Sequence, residues 1–206
     1  MLQPKSKLYS AYWALCLLGA VFLVWLTRQH FFSVPVLPVL FFVVMTFAAE
    51  LVPINLPRGN GTISVSFPII YASILLFGPA GGALVATLGS IRLKELKGMV
   101  AWQTVVFNRS QVTICALSAA LVYQTMGGQF GQVISMSDIV PLVAGGLTYV
   151  ILNITLVTLY LAFLEGVSPQ GMWLVNFKWL VINYLVLIPL AVVVAAIYQI
   201  IGAGGV

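Results

Sequence analysis

The chain has 206 residues, 62% of them hydrophobic and only 6% charged, with a mean hydropathy of +1.12. Soluble domains carry about a quarter charged residues, so the composition excludes a water-facing surface and makes lipid the main solvent. The net charge of +5 does not point to nucleic acid, because the nine basic residues are scattered at the ends of apolar segments, a placement that suits anionic headgroups and a positive-inside bias rather than a phosphate track.

A spanning helix needs about 20 apolar residues. In chain order, the apolar runs predict spans near residues 8–26, 34–52, 63–77, 80–91, 104–126, 139–164 and 179–201. The first follows Lys5 and Lys7 but lacks a small-residue cleavage site before Arg28, so it reads as a retained span rather than a signal peptide. The third and fourth are short. Residues 80–91 would cover only about 18 Å of a hydrocarbon layer about 30 Å thick. Either the helix continues past Arg92, or the pair dips in and returns as a re-entrant hairpin with its bend at Gly78-Pro79. The expected fold is all-α: a polytopic transmembrane helical bundle of about seven hydrophobic segments with a short Gly-Pro hairpin, forming one integral membrane domain over residues 1–206.

The cations set an orientation. With the N-terminus inside, Lys5, Lys7, Arg58, Arg92, Lys94, Lys97 and Lys178 fall on inner segments and Arg28 on an outer loop. This predicts a multi-pass protein of the bacterial inner membrane with a cytoplasmic N-terminus. Parity then puts the C-terminus outside, and one more span would return a following domain to the cytoplasm. The chain is therefore expected to be a piece of a longer protein. Gly82, Ala86 and Ser90 form a small-residue row that Gly78 extends, and Gly145, Gly146 and Tyr149 open the sixth span in a similar way, as close helix packing requires. The five tryptophans fall at or near span ends, as an aromatic belt does.

Ionisable groups inside spans are costly and are candidates for function. Glu50 and Arg109 stand at similar depth on the inner side, and an ion pair between them is expected. Asn108, Gln111, Cys115 and Ser118 share a face with helical spacing. Asn153 falls mid-span, and Asn183 and Tyr184 lie in the first turns of the last span. The candidate ligand-binding or intramembrane polar network is thus Glu50, Asn108, Arg109, Gln111, Asn153, Asn183 and Tyr184. Interhelical bonding that fixes helix register and a binding cavity are the two readings of it. Asp138 is expected to cap the sixth span, and Glu165 and Lys178 to be solvated ends. Cys16 and Cys115 lie in apolar runs without a CxxC partner, and His30 cannot hold a metal alone. No catalytic constellation, cofactor motif or metal set is present, so no enzyme activity is expected.

The stretch "AELVPINLPRGNGTISVSFPIIYASILLFGPAGGALVATLGS" resembles the core of a multi-span membrane sensor domain found N-terminal to HD-GYP phosphohydrolases and GGDEF cyclases of cyclic-di-GMP signalling. The resemblance continues in "VVFNRSQVTICALSAALVYQTMGG", from "LTYVILNITLV" to "LEG", and in "INYLVLIPLAVVVAAIYQIIG". It implies a sensor or signal-input module that binds a small ligand or senses the bilayer and biases a cytoplasmic HD-GYP or GGDEF effector, in cis or in trans. "GTISVSFPIIYASILLFGPAGGALVATLGS" is also similar to the S-components of energy-coupling-factor transporters, which implies the alternative of a substrate-binding transporter subunit. Here the corresponding loop carries Arg58 and the first span is extra. A third reading is an accessory subunit of a larger membrane complex. The partners expected are membrane lipids, the effector, and a homodimer or larger membrane assembly.

Overall fold

A computed structural model of the chain describes residues 7–52, 54–55, 62–63, 65–132, 135–176 and 180–202. It is a helical bundle. The helices are α1 (Lys7–Thr27), α2 (Val36–Glu50), α3 (Phe67–Gly89), α4 (Leu93–Leu96), α5 (Trp102–Thr125), α6 (Ile139–Glu165), α7 (Pro169–Asn176) and α8 (Leu180–Gly202). A two-residue antiparallel ladder, β1 (Ile54–Asn55) with β2 (Thr62–Ile63), ties the turn between α2 and α3. By length and composition alone, Tyr9–Ser33, Phe67–Gly89, Trp102–Thr125 and Met136–Glu165 could cross a membrane, and Val36–Glu50 and Val186–Gly202 are shorter apolar helices.

The α3 segment is not one rod. A straight helix of 23 residues would be about 35 Å long, yet both of its ends reach the same side chain. Ser66 Oγ donates to Glu50 Oε1 at 2.8 Å, and Arg92 Nε lies 3.6 Å from Glu50 Oε2. Midway between these ends, a Cβ added to Gly82 would lie 3.0 Å from Ile74 Cα, whereas residues eight apart in an unbroken helix are separated by about 12 Å. The chain reverses at Gly78, whose φ of 71° and ψ of −167° suit glycine alone. Pro79 then opens the second arm, where a missing N–H costs nothing. α3 is therefore a helical hairpin with arms 67–77 and 79–89. Residues 63–77 and 80–91 are not two spans, and helix does not run past Arg92, where the backbone is extended.

The bend leaves a debt that the rest of the chain settles. The carbonyl of Leu75 is one of the last four of the first arm and has no helical partner beyond the reversal at Gly78. Gly131 N donates to it instead, at 2.8 Å, and Phe130 packs over Gly78. The hairpin tip is thus fastened to the loop joining α5 to α6, at the end of the bundle opposite Glu50.

Almost every residue of the hairpin is buried, because it forms the axis around which the other helices pack. Irregular backbone at membrane depth survives only when protein covers it. Gly82 faces Ile74 across the space between the arms. Other glycines do the interhelical work: Gly81 faces Val39, and Gly89 sits against Thr46 and the Val43 carbonyl of α2. Gly145 of α6 admits the hydroxyl of Tyr71, which donates to Leu142 O at 2.6 Å. Gly146 lies against Ile188 of α8. The expectation of close packing at both glycine sets agrees with these contacts.

α1 is peripheral. It joins the bundle near its start, where Trp13 meets Trp102 edge-on at 5.3 Å. Asp138 stands at the N-cap position of α6, as expected, but its side chain makes no cap hydrogen bond there. It forms a capping box with Ser135 around the 3-10 turn Met136–Asp138, accepting from Ser135 N at 2.7 Å, so its carboxylate points back along the chain.

Candidate functional site

The polar core of the molecule lies at the base of the hairpin. The second arm ends at Gly89, so its last carbonyls have no helical partners and carry the negative end of the helix dipole. Arg109, one to two turns into α5, fills that position. Its Nη1 donates to Thr87 O at 2.6 Å and to Ser90 Oγ at 3.2 Å. Its Nη2 donates to Ser90 O at 2.8 Å and to Glu95 Oε2 at 3.0 Å. The guanidinium is thus a C-terminal cap supplied from another helix.

Ser90 gives its own proton to Ala86 O, which leaves its oxygen free to accept from Arg109. Just above, Thr113 donates to Arg109 O at 2.7 Å. Thr87 must therefore be the donor in the 2.8 Å contact between the two threonine hydroxyls. These bonds lock the second arm onto α5.

Glu95, on the one-turn helix α4, accepts from Arg109 through Oε2 and from Asn108 Nδ2 through Oε1 at 2.8 Å. Glu50 accepts from Ser66 and faces Arg92. The Glu50 and Glu95 side chains are only 3% and 4% exposed. Burying two carboxylates is tolerable because each faces an arginine and accepts at least one hydrogen bond. The four ionisable groups together are neutral, and they hold both mouths of the hairpin to α2 and α5.

The expected Glu50–Arg109 pair is therefore corrected. Arg109 pairs with Glu95 and Glu50 with Arg92. Glu95 lies in "KELK", where flanking lysines suggest a solvated turn, and nothing in the linear pattern shows that it alone turns inward. Of the other candidates, Asn108 joins the cluster. Gln111 is buried deeper along α5 and donates to Cys115 Sγ at 3.4 Å. Asn153 is half-buried on α6 and takes part in none of these contacts. The side chains of Asn183 and Tyr184 lie outside the described residues.

A second polar chain was not anticipated. Tyr160 of α6 donates to Thr104 Oγ1 at 2.6 Å and meets the Tyr9 hydroxyl at 3.0 Å. Because Tyr160 gives its proton to Thr104, Tyr9 is the donor to Tyr160. Phe107 stacks on the Tyr160 ring at 3.9 Å. This chain joins α1, α5 and α6. Its signal in the sequence was a pair of tyrosines within apolar helices, each needing a hydroxyl partner. Among the described residues, no group of three His, Cys, Asp or Glu side chains could hold a metal ion.

A family model, MASE9, matches residues 7–205. The chain belongs to the MASE9 family. It is thus a membrane-associated sensor domain, and the match takes in the hairpin, its charged base and α8 together. Comparison with curated proteins and with solved structures gave no significant match. The coarse part of the first resemblance, a membrane sensor domain, agrees with MASE9 membership.

Proposed function

We propose that this MASE9 domain is a signal-input module of the bacterial inner membrane, with its N-terminus and the hairpin base toward the cytoplasm. It carries out no chemistry itself and uses no cofactor. A small ligand, or a change in the bilayer, shifts the α3 hairpin against the surrounding helices. α8 takes up that shift, and the rearranged bundle biases a cytoplasmic effector of the HD-GYP or GGDEF type, in cis or on a partner chain.

The observation that supports this reading is the attachment of α8 at the hairpin tip. Tyr198 sits among Phe41, Phe42 and Phe77, with centroids 5.2 Å from Phe42 and 5.8 Å from Phe77. Gln199 Nε2 donates to Gln132 O at 2.9 Å, in the same loop that fastens Leu75. Movement of the tip therefore carries α8 with it. Coupling between sites is typically worth about 1–3 kcal/mol, the scale of one buried hydrogen-bonded contact to a charged group.

Glu95→Gln tests the reading, because it keeps the shape of the side chain and removes the charge that holds Arg109. In cells carrying the protein with its effector, cyclic-di-GMP should change by roughly fivefold or more at equal membrane abundance. Unchanged cyclic-di-GMP would sink the proposal.

A further inference from the structure

The link from the hairpin to α5, residues 92–102, sorts its side chains in a way that its contacts within the chain do not explain. Leu93, Leu96, Met99 and Trp102 recur at every third residue and are 45%, 63%, 65% and 60% exposed. Lys94 and Lys97 are exposed among them. The one acid of the segment, Glu95, is turned inward onto Asn108 and Arg109. Outwardly the link therefore presents an apolar stripe with uncompensated positive charge. Trp102 meets Trp13 of α1, so the surface continues onto a neighbouring helix at the same end of the bundle.

Two solvents are excluded by elementary costs. Water would leave four large apolar side chains wet. Hydrocarbon would strip two lysines of hydration without offering a carboxylate. The boundary between acyl chains and headgroups satisfies both halves, since apolar side chains enter it to about 5–10 Å while lysines extend outward. Opposite charge is the remaining requirement, and phospholipid phosphates with an anionic headgroup supply it.

We propose that residues 92–102 are a docking surface for anionic phospholipids, with Leu93, Leu96, Met99 and Trp102 seated in the acyl boundary and Lys94 and Lys97 on the headgroups. The inference names a bilayer component that the domain recognises. It rests on the chain being membrane-embedded and not on the presence of any effector, so it can fail while the signalling proposal stands.

The test uses the full chain with Met99→Cys, labelled with a small fluorophore. Cys16 and Cys115 are buried, which directs labelling to residue 99. The protein is reconstituted into phosphatidylcholine bilayers that contain equal fractions of brominated phosphatidylglycerol or brominated phosphatidylcholine. Quenching should report a preference for phosphatidylglycerol of roughly fivefold for each lysine engaged. Lys94→Gln with Lys97→Gln should bring the two lipids to near parity, and Lys94→Arg with Lys97→Arg should retain the preference. Equal quenching with the native lysines would overturn the proposal, as would a preference that survives the glutamine pair. Absence of quenching by either lipid, the outcome if protein or water covers the segment, would also overturn it.

Discussion

Arg109 decides the geometry of the polar core. A guanidinium is a planar fork of donors, and this one divides its hydrogen bonds between two backbone carbonyls, a serine hydroxyl and a carboxylate. A lysine could supply the charge but not that division. The pairing yields a double-mutant prediction. Glu95→Gln and Arg109→Gln should be non-additive by about 1–3 kcal/mol, and Glu50→Gln with Arg109→Gln should couple more weakly than that. Denaturant unfolding in micelles measures both cycles, and the reverse ordering would restore the pairing expected from sequence. That expectation had the right depth and the wrong partner. Hydropathy places a charge along the membrane normal, but which of two acids faces it depends on how the hairpin mouth turns.

At the scale of elements, the long helices were legible because apolar length is a physical requirement of the bilayer. α1, α2, α5, α6 and α8 all fall close to their expected bounds. The Gly78-Pro79 bend was legible for a local reason, since a Gly-Pro pair is a strong turn signal. α7 and the two-residue ladder were missed because neither is long enough to leave a periodic signal. The hairpin itself was one of two open alternatives, and only contact between distant residues separates them. Gly82, which faces Ile74, probes that contact. Gly82→Val should destabilise the domain by about 3 kcal/mol or more, because the arms are too close to absorb a side chain. Gly98→Ala, where nothing lies within 4 Å and φ is +65°, should cost only about 1–2 kcal/mol. Thermal unfolding in detergent compares them, and equal losses would contradict the close approach of the arms.

For the whole molecule, the bundle is organised around a segment that enters and leaves at one face. The described cations of that face, Arg92, Lys94, Lys97 and Arg109, stand with Glu50 and Glu95 at the hairpin base. The tip is sealed by Phe130, Gly131 and Gln199 at the opposite end. Polar and packing contacts thus hold this one central element at both of its ends.

The most direct test of that architecture is the sidedness of the two ends of α3. Val65 and Lys94 are both exposed, and each can be replaced by cysteine and probed with a membrane-impermeant maleimide in sealed vesicles of known orientation. Val65→Cys and Lys94→Cys should be modified from the same side, and Met126→Cys, beyond the far end of α5, from the other. Labelling of residues 65 and 94 from opposite sides would make α3 a single crossing and contradict the account.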